Sequence, residues 1–201
     1  VYKIIKSKIE STSKDKICGF VGDLTNMETS FIFKEFFDRT IDTNNYESRS
    51  IQSFIDNSVR ENYLFNSTIN GIEESDLILL IGANPRFEAT MVNARIRKAY
   101  LNNNIKIISL NDIGDLTYSY KYLDGKTQTI KDIIENKHEV SKNIIESKKP
   151  MIILGESFLN LKSANFLFYS IKNFLLKNNK FTNEWNPLNT LPSDASTVGN
   201  L

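Results

Sequence analysis

The sequence predicts a doubly wound α/β domain, a mostly parallel sheet with helices on both faces. Three observations carry this. Short apolar runs alternate with stretches of helical period, the pattern of strands joined by covering helices. Asp76-Leu77-Ile78-Leu79-Leu80-Ile81-Gly82 is a continuous apolar run, which suits a parallel strand buried on both sides. A complete strand–helix–strand unit surrounds it and ends in the strand Ile-Lys-Ile-Ile-Ser-Leu over residues 105–110.

Taken in order, a helix over residues 1–9 precedes a first strand at residues 16–22, which contains Cys18 as a small buried hydrophobe. Thr25-Asn26-Met27-Glu28 reads as a capping box. The helix it opens carries Phe31, Ile32, Phe36 and Phe37 toward the core and ends near Thr40. Residues 42–70 are polar and irregular, with a short helical piece at residues 51–57. After the 76–82 strand, Ala83-Asn84-Pro85 breaks the run, because Pro85 disfavours the helical region for Asn84. The next helix, residues 87–102, turns Ala89, Val92, Ile96, Ala99 and Tyr100 inward, and Asn93, Arg97 and Lys98 outward. Thr127 caps a helix carrying Ile130, Ile133 and Ile134, and Val140, Ile144 and Ile145 mark another. Met151-Ile152-Ile153-Leu154-Gly155 is a fourth strand, followed by a strongly amphipathic helix over residues 161–176. Without a linker or an internal repeat, the expected organisation is one domain over residues 1–177 and a loop-like extension over residues 178–201.

Composition narrows the function. The chain has 201 residues, 40% of them hydrophobic, which is enough for a core. Its 25 basic and 24 acidic side chains nearly cancel, so no nucleic-acid partner is expected. The longest apolar runs fall far below a membrane span, so no direct membrane insertion is expected. Opening on Val1 without an initiator Met, the chain reads as a processed product, a fragment or part of a longer polypeptide. Cys18 is the single cysteine and His138 the single histidine, so no Cys/His zinc site or thiolate-held iron–sulfur cluster can be built from this chain alone. His138 lies in a polar run and reads as a solvated helix residue. The 25 Ile, 24 Asn and 19 Lys against 6 Ala are the residues of A/T-rich codons, a genome signature that organelles share.

In doubly wound sheets ligands bind beyond the carboxyl ends of the strands. Here those ends carry Gly22-Asp23, Gly82-Ala83-Asn84-Pro85-Arg86, Asn111-Asp112 and Gly155-Glu156-Ser157. Glycines there suit close approach to a phosphate or dinucleotide, and they are equally ordinary turn residues. Neither G-x-G-x-x-G nor a P-loop is present. Glu73, Glu74 and Asp76 precede their strand and read as a solvated loop. Arg86, Arg95, Arg97 and Lys98 gather positive charge around one helix, suited to ion pairs or to a phosphate or acidic partner. Tyr118, Tyr120 and Tyr122 alternate at strand spacing and read as packing residues. No catalytic residues emerge.

Gly82-Ala83-Asn84-Pro85-Arg86-Phe87-Glu88-Ala89 and Asn93-Ala94-Arg95-Ile96-Arg97-Lys98 resemble the molybdopterin-oxidoreductase-like domain of the large iron–sulfur subunit of respiratory complex I (the 75 kDa subunit in mitochondria). Residues 62–69, 71–76, 115–120, 148–155 and Glu184-Trp185-Asn186 follow in that family's order. The resemblance implies an inherited scaffold that has lost its molybdenum. In the wider superfamily, loops like Gly82, Asn84, Pro85 and Arg86 touch the guanine dinucleotide of the cofactor, but no cofactor is expected in this chain. Iron–sulfur clusters are expected in a missing N-terminal part or a partner chain. Partners are then that iron–sulfur part and neighbouring subunits of the peripheral arm, on the matrix side of the mitochondrial inner membrane. The resemblance thus implies a non-catalytic structural module supporting electron transfer from NADH to ubiquinone. The alternatives are a fragment of a molybdopterin guanine dinucleotide-dependent oxidoreductase, or a nucleotide-binding α/β domain.

Overall fold

The computed structural model describes residues 1–22, 24–48, 53–192, 194 and 196–200, which form two compact units. The first comprises Val1–Gln52 with Asp194–Leu201. Its helix α1 (Tyr2–Ser11) buries no residue. β1 (Gly19–Phe20) pairs in parallel with β2 (Tyr46–Glu47) in a two-stranded sheet of their own. Between them, α2 (Met27–Phe36) starts at Asn26, whose side chain accepts from the Thr29 amide, one residue later than the expected cap. The helix continues into a π-helical turn over Phe37–Ile41.

This unit corrects three expectations. The first strand is two residues long and does not join the main sheet. The covered positions of α2 and its turn are Phe33, Phe37 and Ile41, four residues apart, while Phe31, Ile32 and Phe36 are exposed. The reason is Gly19: a Cβ there would lie 2.3 Å from the Phe37 ring, so the missing side chain lets the Phe33 and Phe37 rings close over β1. Cys18 is exposed, not buried. Asp23 lies outside the described residues, as do residues 51–52 of the expected short helix, and residues 53–57 are not helical.

The second unit, Ser53–Ser193, holds the predicted α/β core. Its elements in order are α3 (Thr68–Gly71), β3 (Leu77–Ile81), α4 (Pro85–Glu88), α5 (Thr90–Asn103), β4 (Lys106–Ser109), β5 (Lys121–Tyr122), α6 (Thr127–Ile134) and α7 (Glu139–Glu146). There follow β6 (Pro150–Leu154), α8 (Glu156–Leu159), α9 (Ala164–Lys177) and β7 (Leu188–Thr190). The five strands are all parallel, in the order β5-β4-β3-β6-β7.

Side chains alternate across each strand. Leu77, Leu79, Ile81, Ile152 and Leu154 pack on one face against Ile130 of α6, Ile144 of α7, and Leu167 and Phe168 of α9. Ile78, Leu80, Met151 and Ile153 pack on the other against Val92, Ile96 and Ala99 of α5. Every residue of β3 and β6 is buried, as the unbroken apolar runs require. α5 ends at Asn104 in the left-handed conformation (φ 49), its amide bonding back to the Tyr100 carbonyl. His138 caps α7 by accepting from the Val140 amide through Nδ1.

The expected 1–177 body with a loop-like tail is also corrected, because residues after 177 complete the sheet. β7 supplies the parallel edge of β6, and Trp185 is buried with its indole N–H donating to the Pro150 carbonyl at 2.8 Å. Asn189 is fully buried: its Oδ1 accepts from the Ser67 amide at 2.8 Å, while its Nδ2 donates to the Ser67 hydroxyl at 3.0 Å and the Pro187 carbonyl at 3.2 Å. Asn66 donates its amide to the carbonyls of Glu61, Leu64 and Leu188, so it is a structural tie for the 61–68 segment along β7.

Replacing Asn189 by Ala strands the Ser67 amide in the core. The expected loss is about 2–3 kcal/mol, read as a lower urea midpoint. An unchanged midpoint would show that water replaces the amide at no cost.

Candidate functional site at the strand switch point

After β3 the chain winds outward through β4 and β5, then returns to the far side of β3 as β6 and β7. The switch point therefore lies between the carboxyl ends of β3 and β6, where doubly wound sheets open a ligand crevice. Gly82 and Gly155 sit there, one after each strand.

Both glycines face the chain itself. Gly82 has φ +63, and a Cβ on it would fall 2.3 Å from the Phe158 backbone nitrogen. A Cβ on Gly155 would fall 2.4 Å from both the Ala83 Cα and the Gly82 carbonyl oxygen. The Gly155 amide donates to the Ile81 carbonyl at 3.0 Å and the Ser157 amide to the Gly82 carbonyl at 3.1 Å. The room that glycine gives elsewhere to a phosphate is filled here by backbone meeting backbone.

Beside this closure remains an open cleft of about 350 Å³ at the ends of β3 and β4. Gly82, Asn84, Glu88, Asn111, Asp112 and Ser157 line it, and among the described residues no lysine or arginine does. Glu88 turns back so that its carboxylate accepts from the Asn84 amide at 3.1 Å, taking the place an anion would occupy at the start of α4. Burial raises the Glu88 carboxyl above its ordinary range, against the Asn84 amide, which lowers it, and with the help of the Glu156 charge. Asn84 donates through Nδ2 to the Ile113 carbonyl at 3.3 Å, while its Oδ1 is buried without a partner. The cleft therefore presents acceptors and negative charge. It suits a donor-rich or cationic group and does not fit the pyrophosphate of a dinucleotide cofactor.

The predicted loop residues separate accordingly. Gly82 and Asn84 reach the cleft, Pro85 is buried at the first position of α4, and Arg86 turns outward to the Asp115 carboxylate at 2.7 Å. Asn111, Asp112 and Ser157, which the sequence places at strand ends, complete the cleft together with Glu88, which the sequence marks within the resemblance and not as a site residue. The signal for Glu88 was its place four residues after Asn84, which lets its carboxylate reach back.

The remaining candidates have structural work. Glu73 binds Lys98 and Arg95, Glu74 binds Lys149, and Asp76 accepts from the Ser147 hydroxyl and the Lys148 and Lys149 amides. Tyr118 is buried and donates to Asn93 Oδ1 at 2.8 Å, while the Tyr120 hydroxyl meets Asp112, so the tyrosines form no stacking platform. Among the described residues no cluster of three or more His, Cys, Asp or Glu side chains is placed to hold a metal, and no helix is long and apolar enough to cross a membrane.

Gly155→Ala should cost at least about 3 kcal/mol, since the new methyl meets backbone that cannot yield; a denaturant midpoint close to wild type would contradict the closure. Glu88→Gln should act through pH. A carboxyl raised in the folded state contributes stability that is full below its ordinary pKa and lost as pH rises through the folded value. The glutamine variant should thus exceed wild type in thermal stability at about pH 7 and match it near pH 4. An advantage independent of pH would refute the assignment.

Comparison with known proteins places this geometry. The molybdopterin oxidoreductase family model matches residues 1–201. The chain is 33% identical over 210 residues to the NADH-ubiquinone oxidoreductase 75 kDa subunit of Reclinomonas americana, covering 98% of this chain and 30% of that one. It is 34% identical over 200 residues to an NADH-quinone oxidoreductase subunit of Rickettsia prowazekii, covering 100% and 30%. The corresponding protein of Rickettsia bellii is 32% identical over 197 residues, covering 98% and 29%. The chain thus spans about 30% of the length of these curated relatives. With its five-stranded parallel sheet and a family match over residues 1–201, the chain belongs to the molybdopterin oxidoreductase family.

Proposed function

We propose that this chain is a non-catalytic structural module of the peripheral, NADH-oxidising arm of respiratory complex I. It supports electron transfer from NADH to ubiquinone carried out by the rest of the complex. The observation that carries the reading is the closed switch point: Gly82 and Gly155 are packed on the chain's own backbone, beside a cleft whose charged lining residues are carboxylates. That arrangement keeps the scaffold of a cofactor-binding fold while removing the cradle for a phosphate. The relatives' description as NADH-quinone and NADH-ubiquinone oxidoreductase subunits supports the same conclusion.

On this reading no cofactor is held here, and the iron–sulfur clusters belong to another part of the same subunit or to a partner chain. Its partners are that iron–sulfur part and neighbouring peripheral-arm subunits, and its place is the matrix side of the mitochondrial inner membrane. The alternative, a fragment of a molybdopterin guanine dinucleotide-dependent oxidoreductase, requires a phosphate site where Glu88 now stands.

A native gel of mild-detergent membrane extract tests the proposal, with this chain tracked by mass spectrometry beside in-gel NADH oxidation. Co-migration with a large NADH-oxidising band is expected, together with flat titrations of the chain by guanine nucleotides. A small band lacking that activity, or stoichiometric bound pterin, would overturn it.

A further inference from the structure

Of the four cations gathered around α4 and α5, three are engaged by the chain's own carboxylates. Arg86 is held by Asp115, and Arg95 and Lys98 share Glu73. Arg97 is exposed and forms no ion pair with a carboxylate among the described residues. It stands in an unusual setting. The inner face of α5 is spent on the core through Val92, Ile96 and Ala99. Yet apolar side chains also stand in a second, outer row: Met91 is 67% exposed and Leu101 65%. Spacings of three, four and seven residues put Met91, Ala94, Lys98 and Leu101 on one line, with Arg97 beside it. A core-facing helix needs one apolar stripe, so the second is unaccounted for by this unit.

Along the same stripe lies a cleft of about 390 Å³ between α5 and Thr117. Thr90, Asn93, Arg97, Lys98, Asn102 and Thr117 line it, and among the described residues no carboxylate does. Its charge is the reverse of the cleft at the strand ends.

We propose that the outer face of α5, centred on Arg97 with Met91 and Leu101 beside it, docks an acidic amphipathic segment of a neighbouring subunit. The inference rests on the reading of the chain as a complex I module. The occupant follows from complementarity: apolar side chains cover Met91 and Leu101, and an Asp or Glu carboxylate pairs with the guanidinium left free. A polyanion such as nucleic acid would need several free cations in a row, and here Glu73 and Asp115 have neutralised the others.

The test is zero-length carbodiimide coupling in the intact membrane complex carrying Arg97→Lys, with Arg97→Ala and wild type as controls. Arg97 is exposed, so neither variant disturbs the core. The expected result is a cross-linked peptide joining position 97 to an Asp or Glu of another polypeptide, absent from both controls. Arg97→Glu should in addition lower recovery of this chain in the large complex by about tenfold at moderate salt. If the chain enters the complex but position 97 couples to nothing, or solely to this chain's own Glu73 or Asp115, the docking proposal falls and the module reading stands. If wild-type chain never co-migrates with the complex, the module reading falls and takes the docking site with it.

Discussion

The pairing of β3 with β6 is the constraint on which the second unit depends. Leu77 through Ile81 align with Pro150 through Leu154 over five parallel pairs, and all ten residues are buried. Strands buried on both faces tolerate no unpaired polar group along their length. The polar chemistry is therefore pushed to the two ends. At the amino end Asp76 gathers the Ser147 hydroxyl and the amides of Lys148 and Lys149, fastening the entry to β6 onto the entry to β3. Burial alone would raise that carboxyl, but these donors together outweigh it and hold it below its ordinary range. At the carboxyl end the strands come so close that both connections must pass through glycine.

That second consequence decides what the switch point can do. In an open sheet of this topology the crevice exists because adjacent crossovers leave in opposite directions. Here Phe158 and Ala83 move into the gap, and the glycines that would admit a phosphate admit protein backbone. Glu88 then accepts from the Asn84 amide, and the start of α4 is thereby satisfied from within the unit itself.

The surfaces differ in character. Among the described residues, the cleft beside the strand ends is lined by carboxylates and no cation, whereas the cleft along α5 is lined by cations and no carboxylate. Glu73 and Asp115 act as internal counter-ions that trim the basic patch down to Arg97. Charge in this unit is thus sorted by specific pairings, although the chain as a whole is nearly neutral.

The sequence by itself determined the interior of the second unit. The runs at 77–81 and 151–154, the helical periods of residues 89–100 and 161–176, and the glycines after the strands are local patterns, and hydrophobic burial acts on them directly. Other features were decided by partners distant in the chain. β5 and β7 are two and three residues long, too short to be fixed by their own pattern; they become strands because β4 and β6 offer free edges. The same holds for the tail, where Trp185 and Asn189 are core residues through contacts with Pro150 and Ser67. In the first unit, Phe33 and Phe37 were chosen for burial over Phe31 and Ile32 by the absent side chain of Gly19. Which of four neighbouring cations stays free was likewise settled by where the fold brings Glu73 and Asp115. Periodicity reports which face of an element is apolar, but only tertiary packing decides which apolar face, and which charge, is left without a partner.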